Sequence, residues 1–132
     1  MDDFARRLVA SPHQFDVVVM PNLYGDILSD VAAGTIGGLG LAPSGCYGDD
    51  YAYFESVHCS APDIAGRNII NPTATLFSAA LLLDYIGYTE ESQRLENAIA
   101  RLYAEGKYLT RDQGGETGTK SFCAEVHRLI FK

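Results

Sequence analysis

Apolar residues recur at helical spacing in five stretches of the chain, and proline or glycine separates these stretches. The pattern predicts helices over residues 2–11, 23–34, 71–87 and 89–106, and a last helix that begins near residue 119. Thr89 is the predicted cap of the fourth helix, and the fifth is predicted to be capped near Thr119. The fourth helix has the clearest pattern, because Leu95, Ile99, Leu102 and Tyr103 repeat at helical spacing. Residues 76–86 are rich in aliphatic side chains but too few to cross a bilayer, so we predict a buried helix and no membrane partner.

Three short segments are predicted to be strands. Residues 15–20 form a β-branched run that Pro21 closes, which is typical of a buried strand. A second strand is expected to begin within residues 40–43, a glycine-rich turn follows over 44–50, and a third strand covers 51–57. Strands interleaved with helices indicate an α/β fold. Because three short strands make too small a sheet for five helices, we expect the sheet to be completed by residues of a larger protein.

Composition and charge narrow the classes of partner. The chain has 132 residues, of which 47% are hydrophobic and 20% charged, as in one globular domain or part of one. Its net charge of −7 argues against a nucleic-acid partner. Cys46, Cys59 and Cys123 fit neither a zinc-binding pattern nor a disulfide framework. We therefore expect a reducing compartment, the cytoplasm or the mitochondrial matrix.

Two acidic residues lie one turn apart in the second predicted helix. Asp26 and Asp30 should project from the same face, where the like charges repel by roughly 0.2–0.5 kcal/mol. A divalent cation would turn this repulsion into attraction, and ligation by oxygen alone suits Mg²⁺ or Mn²⁺. From spacing alone, the alternative is a pair of exposed acids on a solvated face.

Two long segments carry a family resemblance. Residues 22–41 read NLYGDILSDVAAGTIGGLGL, and residues 55–73 read ESVHCSAPDIAGRNIINPT. They resemble the signature sequences of the β-decarboxylating dehydrogenases, which include the isocitrate, 3-isopropylmalate, homoisocitrate and tartrate enzymes. The similarity extends from Asp2 to the last helix and corresponds to the C-terminal part of such an enzyme. Residues 20–24 and 39–45 are most similar to the catalytic-type subunits of NAD-dependent isocitrate dehydrogenase.

The resemblance implies a three-layer α/β fold with a mixed sheet and without a Rossmann motif. It assigns residues up to about 36 to the smaller, dimer-forming part and residues 37–132 to the larger, cofactor-binding part. The family binds its metal through two aspartates on one helix and a third from the partner subunit. These correspond to Asp26, Asp30 and Asp2, or to Asp3 in place of Asp2 if the alignment slips by one residue. We therefore expect Mg²⁺ or Mn²⁺ and a homodimer or an assembly of related subunits.

The second segment is similar to the cofactor loop of the family. The resemblance implies that NAD is bound by His58, Cys59, Ser60, Ala61, Pro62, Asp63, Ile64, Asn71 and Asp112, with Gly40 and Ile70 as further lining residues. Asp63 would accept hydrogen bonds from the adenosine ribose and repel a 2′-phosphate, which favours NAD over NADP. For His58 and Asn71 the alternative is a purely structural role, at a strand end and as a helix cap.

Cys59 occupies a position where the family usually has glycine. If this position requires a positive φ, its Cβ would cost about 1 kcal/mol and crowd the dinucleotide. Weaker or thiol-sensitive NAD binding would follow. The alternative is that the loop tolerates a small side chain.

The resemblance implies NAD-dependent oxidative decarboxylation of a small hydroxy acid, first of all isocitrate to 2-oxoglutarate. The alternative substrates are 3-isopropylmalate and homoisocitrate. The proton-transferring Tyr and Lys of the family and its substrate-binding arginines have no counterpart here, so we assign no catalytic residue and expect the chain alone to be inactive. An alternative of another class is a regulatory subunit or binding domain without turnover, although the retained aspartates argue against it.

Overall fold

Five α-helices and one two-stranded sheet make up the structure, a computed structural model that describes residues 1–132. The helices are α1 (Asp2–Ala10), α2 (Asn22–Thr35), α3 (Thr73–Tyr85), α4 (Thr89–Glu105) and α5 (Thr119–Ile130). The strands are β1 (Pro43–Tyr47) and β2 (Ala52–Ser56). Short 3₁₀ turns lie at Pro12–Gln14, Leu39–Leu41, Pro62–Ile64 and Arg111–Gln113. All five predicted helices are therefore present.

Helices α3, α4 and α5 enclose the hydrophobic core. The predicted stripe of α4 is buried, with Ile99 fully inaccessible to solvent and Leu102 nearly so. Helix α5 packs Phe122 and Val126 against it, and the Phe122 ring meets the Tyr103 ring edge to face at 6.0 Å between centroids. None of the helices combines the length and the apolar composition that a bilayer span requires.

The two strands form an antiparallel hairpin that packs on α3. Gly45 lies opposite Phe54, and a Cβ on Gly45 would come within 3.1 Å of the Phe54 ring. The Ser78 hydroxyl of α3 accepts the N–H of Ser44 at 3.3 Å and donates to the carbonyl of Glu55 at 2.7 Å. The prediction of a turn over residues 44–50 is wrong, because most of these residues pair with β2 as strand β1.

Residues 15–20 do not form the predicted strand. Val17 and Val19 are 83% and 91% exposed, and this segment belongs to no sheet. A strand needs a neighbour to accept and donate its backbone hydrogen bonds, and the sheet in this chain contains β1 and β2 only. The β-branched run has no such neighbour in this chain and stays outside the sheet. The sheet within this chain is the antiparallel pair of β1 and β2.

Two predicted helix caps are also wrong. Thr89 and Thr119 are the first residues of α4 and α5 and do not cap them. The Thr89 hydroxyl donates to the Asp84 carboxylate at 2.8 Å, and the Thr119 hydroxyl donates to the carbonyl of Ile70. Asn68, fifty-two residues from Lys120 in sequence, accepts the N–H of Lys120 at 2.8 Å through its side chain. This contact satisfies an end of α5 that no local residue caps.

Helices α1 and α2 pack on each other outside the main core. Of the α2 side chains only Leu28 and Ala33 are buried, whereas Leu23 and Ile27 are 64% and 53% exposed. A contact between the Phe4 and Phe15 rings, 4.8 Å apart, joins α1 to the segment before α2. The predicted division near residue 36 falls directly after α2 and stays a prediction.

We expect the substitution Ile99→Ala to lower the free energy of unfolding by about 2–5 kcal/mol, because it leaves a cavity among α3, α4 and α5. The measurement is urea unfolding of the 132-residue chain, followed by circular dichroism. Ile86→Ala serves as the control, since Ile86 is 54% exposed, and should change stability by less than about 0.5 kcal/mol. Equal losses in the two variants would contradict the position of the core.

Candidate functional site

A cleft of about 410 Å³ opens between the loop after β2 and the 3₁₀ turn at Arg111–Gln113. Its lining residues are Leu39, Gly40, His58, Cys59, Ala61, Ile64, Ile69, Ile70, Asn71, Arg111 and Asp112. A second cleft of about 390 Å³ lies beside it, and Ile64, Ile70 and Asn71 line both. The segment before α3 thus forms a wall between two open clefts.

Asn71 is a buried polar residue of this wall, with only 4% of it exposed, and its side chain forms several hydrogen bonds. Its side-chain oxygen accepts the N–H of Thr73, the first residue of α3, at 3.0 Å, although the N-cap position itself is Pro72 and not the predicted Asn71. Its amide nitrogen donates to Asp112 Oδ2 at 2.9 Å and to the hydroxyl of Tyr103 at 3.1 Å. Gly40 packs closely here, since a Cβ on it would lie 3.1 Å from Asn71 Cβ. One side chain therefore joins α3, α4 and the turn at Arg111–Gln113.

The Asp112 carboxylate is held in its charged form. Partial burial raises its pKa, but the nearby Thr110 hydroxyl and the amide donors of Asn71 and Gln113 lower it further than burial raises it. The Thr110 hydroxyl is buried without a partner in hydrogen-bond geometry, so the two amides provide the well-formed contacts. The net pKa of Asp112 lies below that of an ordinary aspartate. The cleft thus contains a fixed negative charge beside the positive charge of Arg111.

Six of the nine predicted cofactor residues line the 410 Å³ cleft, namely His58, Cys59, Ala61, Ile64, Asn71 and Asp112. Gly40 and Ile70 line it as well. Ser60, Pro62 and Asp63 do not; they are exposed on the same loop. The structure brings most of the set together, and the binding of NAD by these residues stays a prediction.

The His58 ring is oriented by its neighbour in the loop. Its Nδ1 lies 3.0 Å from the carbonyl oxygen of Cys59, so a proton on Nδ1 is donated to that oxygen. In this tautomer Nε2 is left as an acceptor at the cleft.

The expected backbone strain at Cys59 is absent. The non-glycine residues with positive φ are Ala61, at 42°, and Asn68, at 57°. Left-handed backbone is thus required two residues after Cys59, where alanine bears a cost of about 1 kcal/mol. Cys59 itself does not have a positive φ, so the predicted strain at this residue is wrong. Its exposed side chain still lines the cleft, so the expectation that it crowds a bound dinucleotide stays a prediction.

The predicted metal ligands lie on the helices of the N-terminal part. Asp26 and Asp30 stand one turn apart on α2, both exposed and in no ion pair. The chain contains no group of three His, Cys, Asp or Glu side chains that could hold a metal ion. Two free carboxylates on one face fit Mg²⁺ or Mn²⁺, which leave further positions to other oxygen ligands. Since the resemblance takes the third aspartate from a partner subunit, this ligand set stays a prediction.

Asp2 and Asp3 differ in their availability as the third ligand. The Asp2 side chain is fully exposed and accepts the N–H of Asp3 at 2.8 Å. Its Oδ1 also lies 3.8 Å from the amino group of Met1. Asp3 forms a shorter ion pair with Arg6, with 2.7 Å between Oδ1 and the guanidinium, and its side chain is 65% exposed. The carboxylate of Asp2 is therefore the more accessible of the two.

Sequence reasoning missed several residues of the cleft and its support. Tyr103 was assigned to the apolar stripe of α4, yet its hydroxyl lies 2.8 Å from that of Thr73 and accepts from Asn71. Arg111 lines the cleft, and Gln113 contacts Asp112. The only signal for these two residues was their position beside Asp112 in a glycine-containing loop.

The match to a known protein family gives the class to which this chain belongs. Residues 1–130 match the isocitrate/isopropylmalate dehydrogenase family. The chain belongs to this family, whose enzymes are decarboxylating dehydrogenases.

Individual relatives support this membership. The chain is 53% identical to the isocitrate/homoisocitrate dehydrogenase of Thermus thermophilus, over 96% of its own length and 37% of the relative's. It is 49% identical to the mitochondrial alpha subunit of human NAD isocitrate dehydrogenase, over 98% of its length and 36% of the relative's. The chain therefore spans little more than a third of the length of these relatives.

Solved structures agree with the sequence relatives. An isocitrate dehydrogenase from Methylococcus capsulatus matches 99% of this chain with a TM-score of 0.96 at 41% identity, and the match covers 39% of that structure. A β-decarboxylating dehydrogenase from Thermococcus kodakarensis matches with a TM-score of 0.87 at 42% identity. The predicted α/β fold class and the family resemblance are both confirmed.

The stabilising contribution of Asp112 should depend on pH. Its folded pKa is lowered, so its contribution is complete above the unfolded pKa of about 3.9 and is lost as the pH falls through the lower folded value. We expect Asp112→Asn to lower the Tm at about pH 6 and the difference from wild type to shrink towards about pH 3. Thermal unfolding across this range measures it. Asp50→Asn, in the exposed turn between the strands, should follow the wild type. A constant difference would contradict the charged network.

Proposed function

We propose that this chain forms the metal-binding and NAD-binding part of an isocitrate dehydrogenase, which converts isocitrate to 2-oxoglutarate with NAD as the hydride acceptor. The observation that carries the proposal is the cleft, whose wall is built from the loop that contains His58 and Ile64 and from Asn71. Its volume of about 410 Å³ lies within the range of small-molecule sites. Family membership and the names of the human and Thermus relatives support the reaction type.

The cleft residues suit the adenosine end of NAD. Ile64 and Ile70 provide apolar surface, and His58 provides a hydrogen-bond acceptor at its Nε2. Arg111 supplies a positive charge for a phosphate group in a chain whose net charge is −7. Asp63 lies on the exposed side of the same loop, where its charge would disfavour a 2′-phosphate. The charge of Asp63 therefore favours NAD over NADP.

Asp26 and Asp30 would hold Mg²⁺ or Mn²⁺ together with the partner subunit's Asp2. The ion would act as a Lewis acid on the hydroxyl and carboxylate oxygens of the substrate. The two carboxylates of α2 are exposed and unpaired, so an ion can reach them without the loss of an existing ion pair. A shared site of this kind requires a symmetric dimer, in which both subunits contribute the same contact surface.

Further properties follow from the same proposal. The three cysteines are free, in accord with a reducing compartment such as the cytoplasm or the mitochondrial matrix. Homoisocitrate is the second candidate substrate, because the name of the Thermus relative includes it.

The metal assignment can be tested in a chimera in which this chain replaces the matching segment of the Thermus enzyme. We expect Asp30→Asn to weaken Mn²⁺ activation of isocitrate oxidation by at least about tenfold, because one ligand is lost. Mn²⁺ titration of the initial rate is the measurement, and Asp50→Asn is the control. A regulatory lineage predicts little difference between Asp30→Asn and the unsubstituted chimera, and that result would refute the catalytic proposal.

The 132-residue chain alone is expected to turn over no substrate. None of its side chains is placed as a general base, since Asp26 and Asp30 would be occupied by the metal. Purified chain is mixed with NAD, Mn²⁺ and isocitrate, and the absorbance of reduced nicotinamide is followed, with the active chimera as the positive control. A sustained increase above the protein-free rate would show that the chain contains its own acid–base residues.

A further inference from the structure

The side chain of Gln113 connects the cleft to the end of helix α2. Its amide nitrogen donates to the carbonyl of Gly37 at 3.1 Å and to Asp112 Oδ2 at 3.1 Å. Gly37 comes two residues after the last residue of α2, and 76 residues separate it from Gln113 in sequence. An amide nitrogen carries two protons, so these two contacts use its full donor capacity.

Gly37 packs closely against the side chains of Leu41 and Gln113. Gly37 has a φ of 116°, and a Cβ on it would lie 3.1 Å from Leu41 Cδ1 and 3.4 Å from Gln113 Nε2. The backbone turn after α2 therefore packs directly against the side-chain amide of Gln113. The N–H groups of this turn bond back to the helix, with Gly38 donating to Ala33 at 2.9 Å.

The Asp112 end of the connection reaches the cleft wall. Asp112 Oδ2 accepts from Gln113 and from Asn71, and Asn71 in turn contacts Tyr103 and Thr73. Asn71 is buried, whereas the carboxylate of Asp112 faces the open cleft. A ligand that donates a hydrogen bond to Asp112 therefore shares this carboxylate with the Gln113 amide, which also holds Gly37.

We propose that Gln113 is a positioning residue that couples occupancy of the cofactor cleft to the backbone at the end of α2. This inference rests on the proposed function, because it takes the cleft as the NAD site and α2 as the helix of the metal ligands. Coupling between sites is reciprocal, so a ligand on α2 would alter NAD affinity through the same amide. Loss of the amide should uncouple the two sites and leave each of them in place.

The test uses hydrogen exchange of the 132-residue chain, resolved to the amides of residues 36–38, with and without NAD. We expect NAD to change the exchange rate there by at least about fivefold in the wild type. Gln113→Met keeps the length of the side chain but donates no hydrogen bond, and should abolish this change. Calorimetry of the variant with NAD shows whether the cleft is still occupied, so that a missing change at residues 36–38 reports lost coupling and not lost binding.

Three further variants test the same amide. Gln93→Met alters an exposed glutamine of α4 and should retain the full effect of NAD at residues 36–38. Gln113→Lys restores a donor between the two acceptors and should recover the effect, which a role in packing alone would not predict. Gln113→Glu offers only acceptors and repeats the test if Gln113→Met fails to fold.

The outcomes separate the inference from the proposed function. If NAD binds but exchange at residues 36–38 responds equally in wild type and Gln113→Met, the coupling is refuted and the NAD site stands. If NAD does not change exchange there in the wild type, the coupling is likewise refuted. If the wild type binds no NAD at all, the proposed function fails and this inference fails with it.

Discussion

The hydrogen bonds of Asn71 are the interaction on which the geometry of the cleft depends. Its side chain joins the first residue of α3, the hydroxyl of Tyr103 on α4 and the carboxylate of Asp112. Because Asn71 is buried, a lost partner would leave a polar group unsatisfied, which costs about 1–3 kcal/mol. The cleft is therefore shaped by one asparagine that the packed helices hold in place.

The chain divides physically into a packed region and an exposed one. Helices α3, α4 and α5 share a continuous core, whereas α2 buries little more than Leu28 and Ala33. The exposed Val17, Val19 and Ile27 form apolar surface that the chain does not cover by itself. Such surface is typical of a region that contacts other protein segments. The two proposed sites therefore differ in how they are packed. The cleft wall is held by the hydrogen bonds of Asn71, and the aspartates of α2 lie on a helix that buries few side chains.

Local sequence was sufficient where a residue's neighbours in the chain decide its structure. Apolar periodicity predicted all five helices, and the asparagine before Pro72 predicted the contact that begins α3. Of the nine residues predicted to bind the cofactor, six line one cleft. The strand at residues 15–20 was wrong because a strand requires a pairing partner, which local sequence does not encode.

By itself, the sequence determined the helices, the family and most of the residues that meet at the cleft, because repeated apolar spacing and long motifs are local signals. Tertiary structure alone decided that Tyr103 supports Asn71, that Asn68 completes the start of α5 and that Gln113 reaches Gly37. It also placed the positive φ at Ala61 and not at Cys59. Each of these is a contact between distant residues or a backbone angle set by such contacts, and its energy exists only once the chain has folded.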